Sequence, residues 1–261
     1  MTTANLRRAC LGAVGIVAVF GAAELAMVLG GTDTAVFPLP SSVLAEAADL
    51  ARASGFWSSI GWTMLAWTEA MAATIIIGVL GGLLLGMLPG VESAVRPVLE
   101  FLRPIPAVVL LPMAVLIIQN NQRTEVAVIV FASVWPVLIN TVYGLRGVDS
   151  EAKETLRSFG FGPFAVARYV SVPSAAPFIA TGIRIAASLA FVVAVAVELV
   201  GTGMSGVGAY VGQQGGINSV TVFIAAALWT GVVGLVLNGI FTGAERRAFR
   251  WHFEQSALEQ A

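Results

Sequence analysis

Apolar runs of bilayer length recur along almost the whole chain, and no other feature limits its fold so strongly. They read as spans at about 9–30, 61–88, 99–118, 125–145, 177–200 and 220–244, each near the ~20 residues a helix needs to cross a hydrocarbon core ~30 Å thick. A soluble domain carries roughly 25% charged residues; here 11% of 261 residues are charged and 57% are hydrophobic. No sizeable soluble domain fits between the runs. The expected fold is an all-α polytopic membrane protein of about six transmembrane helices, in one transmembrane domain over 1–261.

The first run follows Arg7 and Arg8 and is interrupted by Glu24. It is long enough to span and shows no small-residue cleavage site before a polar start, so it reads as a helix rather than a cleaved signal. Orientation follows from Lys and Arg, which accumulate on the cytoplasmic side of short loops. With the N-terminus inside, Arg7, Arg8, Arg96, Arg103, Arg146, Lys153, Arg157, Arg168, Arg246, Arg247 and Arg250 fall at the cytoplasm, and only Arg52 and Arg123 lie outside. The chain is therefore expected N-in and C-in. Arg184, two turns into the fifth run, can snorkel to an interface.

Several chemistries find no support. Cys10 is the only cysteine, so neither an internal disulfide nor a multi-cysteine metal site is available, and it reads as a buried bystander. His252 is the only histidine and sits in a polar tail. There is no Ser-His-Asp set, P-loop or dinucleotide fingerprint, so no catalytic residue, cofactor or metal is expected and any energy source is a partner or an ion gradient. A net charge of -1 offers no nucleic-acid face.

Gly78, Gly82, Gly86 and Gly90 recur at four-residue spacing in the second run. Such a stripe lets backbones approach closely, within the subunit or at a dimer seam. Pro104, Pro106 and Pro112 bend the third run. Glu69, inside the second run, needs a protein or water partner or touches substrate.

The longest polar stretch on the inner side, 146–176, divides the fourth and fifth runs. Asp149 or Ser150 can cap a helix there, and Gly160 with Gly162-Pro163 ends it. The stretch reads as a short helix, a glycine turn and a second short helix ending at Pro173, an elbow that a soluble motor domain could grip.

This loop resembles the EAA loop of binding-protein-dependent ABC importer permeases: Glu154-Thr155-Leu156 takes the Glu-Ala-Ala place, followed at the family's spacing by Gly160 and by Val170-Ser171-Val172-Pro173. Leu156 departs from the pattern, which has Ala there. Phe37-Pro38-Leu39-Pro40-Ser41-Ser42, Phe101-Leu102-Arg103-Pro104-Ile105-Pro106, Trp135-Pro136-Val137-Leu138-Ile139-Asn140-Thr141, Glu198-Leu199-Val200-Gly201 and Gly206-Val207-Gly208-Ala209-Tyr210 are similar, in this order, to motifs of its branch for nitrate, sulfonate, taurine, bicarbonate and pyrimidine-type thiamine precursors.

The resemblance implies a type I importer permease in the bacterial inner membrane. It would pair with a second permease subunit, identical or homologous, two cytoplasmic ATP-binding cassette subunits and an extracytoplasmic binding protein or lipoprotein, to import a small organic or inorganic anion or other nutrient. Glu154, Arg157, Phe159, Gly160 and Pro173 would form the ATPase-coupling loop, though Arg157 and Lys153 also fit plain positive-inside charge. Glu198, beside the uncharged outer loop 202–219, and Asn140 are candidates for the translocation path. Two features depart from that family: Gln119-Asn120-Asn121-Gln122-Arg123 replaces an aromatic and glycine-rich turn, and Glu69 stands near a place where Arg is common. The competing class is an autonomous secondary transporter or channel, whose inverted repeats with broken helices are not evident.

Overall fold

The computed structural model describes residues 3–31, 37–217 and 220–249. Arg250, His252 and Ser219 lie outside them, as do the side chains of Arg7, Arg8 and Cys10. All regular structure among the described residues is helical: α1 (Thr3–Leu29), α2 (Pro40–Leu50), α3 (Ser54–Met87), α4 (Pro89–Leu102), a 3-10 turn Ala107–Leu110, α5 (Leu111–Ile118), α6 (Asn121–Arg146), α7 (Ser150–Ser158), α8 (Pro163–Val166), a π turn Ala167–Ser171, α9 (Val172–Val200), α10 (Val207–Ile217) and α11 (Val220–Ala248).

Among the described residues, four helices are long and apolar enough to cross a bilayer: Ser54–Met87, Asn121–Arg146, the continuous helix Pro163–Val200, and Val220–Ala248. In α1, Ala18–Leu29 forms a shorter apolar helix. Their outward faces keep large apolar side chains uncovered, among them Leu80, Val192 and Leu235. Such faces suit lipid or another membrane chain, not water. At ~1.5 Å per residue, the 34 residues of α3 overshoot the hydrocarbon core, and exposed Trp57 and Trp62 sit on its first turns, where amphipathic rings favour the headgroup level.

The third expected span, 99–118, is not one helix. α4 starts well before it, and the chain breaks between Leu102 and Ala107, bending by 84°. Pro104 and Pro106 supply no N–H, so the hydrogen-bond ladder cannot continue past Arg103, and the chain is extended at Pro106, with a φ of -64° and a ψ of 116°. The 12 residues 107–118 reach only ~18 Å, short of the ~30 Å core.

The core lies where α3, α6 and α9 meet. α3 and α6 run parallel, and their seam repeats at a fixed offset. A Cβ on Gly78 would strike Val137, one on Gly82 would strike Thr141, and one on Gly86 would strike Leu145. One turn earlier the Thr74 and Ser133 hydroxyls bond at 2.7 Å. Glycine is what brings these backbones together, so the stripe packs the subunit internally. Gly90 falls in α4, past the end of α3, and its Cβ would meet nothing. Trp67 Nε1 ties α3 to α9 by donating to the Ala187 carbonyl at 3.0 Å.

Three polar contacts join the periphery. Ser41 donates from its amide (3.2 Å) and hydroxyl (2.6 Å) to Glu24, docking α2 on α1. Trp229 Nε1 donates to the Ala47 carbonyl at 2.7 Å, docking α11 on α2. Buried Glu92 takes Arg96 at 3.0 Å and Arg146 at 2.6 Å, pinning α4 to the end of α6.

Candidate functional site: the helical elbow and the carboxylate-lined far end

At the end of the bundle where α6 stops, Asp149 caps α7, its Oδ1 accepting from the Glu151 amide at 2.9 Å. α7 closes on Gly160, whose φ of 83° is unfavourable for residues with a Cβ. The Gly160 amide donates to Arg157 O (2.9 Å) and the Phe161 amide to Leu156 O (3.2 Å). This paired pattern around a left-handed residue is a Schellman turn, and it reverses the chain sharply.

Glu154, Arg157, Phe159 and Gly160 come together on α7 and this turn, all exposed. Phe159 is 78% exposed, and beyond the turn Phe164 is 80% exposed. With Phe161 they make an apolar tip ringed by charge. Arg157, Lys153, Arg168 and Phe164 also border a groove of about 730 Å³ against the end of α3. Pro173 stands apart on the first turn of α9, exposed. The second short helix does not end there, as the sequence suggests, but runs through the π turn into α9. A proline ring clashes with the carbonyl four residues earlier, here Tyr169; the wider π turn around that residue lets the helix continue.

At the far end, residues 202–219, expected as a loop, hold helix α10. Its glycine-rich sequence is a poor helix former; packing and capping hold it instead. Val207 and Val211 insert among Val43, Phe56 and Ile60. Glu198, wholly buried, accepts at Oε2 from the Gly208 amide (2.8 Å) and the Thr63 hydroxyl (2.9 Å), while Thr63 Oγ1 accepts from the Val207 amide (2.9 Å). The first amides of α10, which lack partners within the helix, are thus met by α3 and α9. Gly203 and Gly206, at φ of 71° and 133°, turn the connecting chain around this carboxylate.

Glu125 on α6 is 4% exposed, and its carboxyl touches that of Glu198. It lines a cavity of about 470 Å³ with Gln119, Asn120, Asn121, Gln122 and Trp62. Glu69 is exposed and has a protein partner, receiving Gln122 Nε2 at 3.1 Å on both oxygens. Asn121 Nδ2 donates to the Gly203 carbonyl at 2.6 Å. The polar 119–123 turn is therefore bonded to α3 and to the start of the α10 connection. In the sequence Glu125 marks only a span boundary and Thr63 is not singled out; an acid and a threonine inside apolar runs are the available signals.

Asn140 and Glu198 do not share a site. Asn140 donates to the Pro136 carbonyl at 2.8 Å and borders a cavity of about 420 Å³ at the elbow end, with Pro177, Thr181, Arg184 and Glu245. There Arg184 pairs with Glu245 at 2.9 Å, and Thr181 Oγ1 donates to the same carboxylate at 2.5 Å. Arg184 is thus held by α11 rather than reaching an interface alone. No group of three or more metal-ligating side chains occurs among the described residues.

The chain is 31% identical over 183 residues to the bicarbonate transport system permease protein CmpB of Synechocystis sp., covering 70% of this chain and 65% of that one, so it spans just under two thirds of that relative's length. It is 28% identical to the nitrate import permease protein NrtB of Leptolyngbya laminosa, over 77% and 75% of the two chains. Among solved structures, a chain of the MetNI methionine ABC transporter in inward-facing conformations shares the fold, with a TM-score of 0.61 and 18% identity over 74% of this chain and 94% of that one. Residues 74–250, well over half of the chain, match the family described as binding-protein-dependent transport system inner membrane component, and the chain belongs to that family as a multi-pass membrane transport subunit.

Proposed function

We propose that this chain forms the translocation pathway of an ATP-driven importer with a second permease subunit, identical or homologous, and that its α7–α8 elbow docks on a separate cytoplasmic ATP-binding cassette subunit, one per permease. α1 and the broken pair α4–α5 each count as one crossing, giving six, with both termini inside. An extracytoplasmic binding protein or lipoprotein delivers the substrate. The observation that carries this reading is the elbow: a short capped helix bearing exposed Glu154 and Arg157 is closed by a Schellman turn, and Phe159, Phe161 and Phe164 stand uncovered at and beyond that turn. An exposed aromatic tip ringed by charge has the anatomy of an interface anchor.

The substrate class follows the relatives, named for bicarbonate and nitrate: a small anion. The far-end cavity is lined by a carboxylate and amides with no basic side chain, and it repels anions. The anion path is therefore assigned to the seam between two permease subunits. Asn140, on the wall of the elbow-end cavity beside Arg184, is the path candidate there. Glu198, sealed from solvent, acts on the path through α10.

Gly160→Val tests the elbow. Nothing lies within 4 Å of a Cβ at this position, so the cost is confined to the left-handed backbone, ~1–2 kcal/mol, and falls on the turn alone. The expected result is a normally inserted, stable chain whose complex loses ATPase subunits or hydrolyses ATP without transport. Wild-type coupling in this variant would refute the docking assignment.

A further inference from the structure

We propose that Glu125 and Glu198 form a single-proton site, a carboxylic acid bonded to a carboxylate, that latches α6 to the α9–α10 corner. Glu198 Oε2 is fully used by Gly208 and Thr63, but Glu198 Oε1 is buried with no donor, and so is Glu125 Oε1. The two side chains are 0% and 4% exposed and touch each other.

Two ionised carboxylates in contact would repel strongly, and although Glu125 lines the polar cavity, the Oε1 atoms of both side chains are buried with no donor among the described residues. One proton on the pair answers both problems: it removes one charge and supplies the missing O–H donor, as in carboxyl dyads that share a proton. The balance is simple. One proton is taken up from water when the corner closes and returned when it parts, and no other bond changes.

Among the described residues the surroundings offer no other neutralising group. From α3 the pair faces Glu69, a third acid, which adds to the repulsion. On α6, Arg123 is exposed two residues before Glu125. α9 and α10 contribute the Gly208 amide, and Tyr210 of α10 is turned to Phe56 at 5.6 Å. Because the closed corner holds one proton more than a corner whose two acids are separated and hydrated, raising the pH favours separation, by up to about tenfold per pH unit for one proton.

The test uses the full chain in its membrane complex. Infrared spectroscopy at neutral pH reads the carbonyl stretch of a protonated carboxylic acid, and amide hydrogen exchange of 207–217 as a function of pH reads opening of the corner after correction for intrinsic exchange. Wild type is expected to show the band and a rise in opening of up to about tenfold per pH unit. Glu125→Gln, whose amide supplies the donor without a titrating proton, is expected to keep α10 protected, lose the band and flatten the pH dependence. Glu198→Gln loses the band as well. Absence of the band in wild type, or an unchanged band or pH slope in Glu125→Gln, overturns the proposal.

Discussion

Adding one methyl group at Gly82 should damage the protein more than the same change at Gly90. A Cβ on Gly82 would lie 2.5 Å from Thr141 Cβ, 2.8 Å from its Cγ2 and 2.9 Å from the Leu138 carbonyl. Carbon atoms settle at roughly 3.5–4.0 Å, so α3 and α6 must part by about 1 Å. Overpacking of this kind costs ~1–3 kcal/mol. Parting the helices also stretches the 2.7 Å Thr74–Ser133 bond two turns away, and its loss adds ~1 kcal/mol. Against this, Ala is a better helix former than Gly by up to ~1 kcal/mol. The net expectation for Gly82→Ala is a loss of about 1–3 kcal/mol. Gly90→Ala meets open space and should be neutral or slightly stabilising. Thermal inactivation of detergent-solubilised protein, followed by size-exclusion chromatography, separates the two, at about 2–4 °C per kcal/mol for a chain of this size. A Gly82→Ala protein as stable as wild type, or a Gly90→Ala protein equally damaged, would refute the seam.

Thr63→Val keeps the shape of a buried side chain but strips a donor from Glu198 and an acceptor from the Val207 amide; at ~1–3 kcal/mol for each buried group left unpaired, hydrogen exchange over 207–217 should accelerate at least tenfold while α3 and α6 stay protected. Glu245→Gln removes the charge partner of half-buried Arg184 and should lower stability by ~1–3 kcal/mol, read as a thermal shift that Arg184→Gln in the same chain partly restores; a purely additive double variant would show that the pair is not coupled.

The sequence displays its membrane helices because their signal is local: a run of apolar residues declares its length whatever it packs on. The elbow is legible for the same reason. Asp149 as cap and Gly160 as the left-handed stop are choices made within a few residues, and Gly160 does adopt the positive φ that a sharp turn needs. Features decided by distant contacts are not legible. α10 contains Gly208, Gly212, Gly215 and Gly216 and reads as loop, yet it folds because Thr63 and Glu198, remote in sequence, cap it. Glu69 reads as an acid in need of a partner, but the sequence does not name that partner, because Gln122 arrives from another helix. The glycine stripe shows close packing in the sequence, but only the constant offset to Val137, Thr141 and Leu145 names the partner.

Purification of the chain from its native membrane, with its bound subunits identified and the whole assembly reconstituted in liposomes, tests whether the elbow couples this chain to a separate ATPase. The expected result is recovery with an ATP-binding cassette subunit, and solute uptake that requires ATP on the elbow side. Recovery of the chain without any ATPase, with uptake undiminished in the absence of ATP, would contradict it.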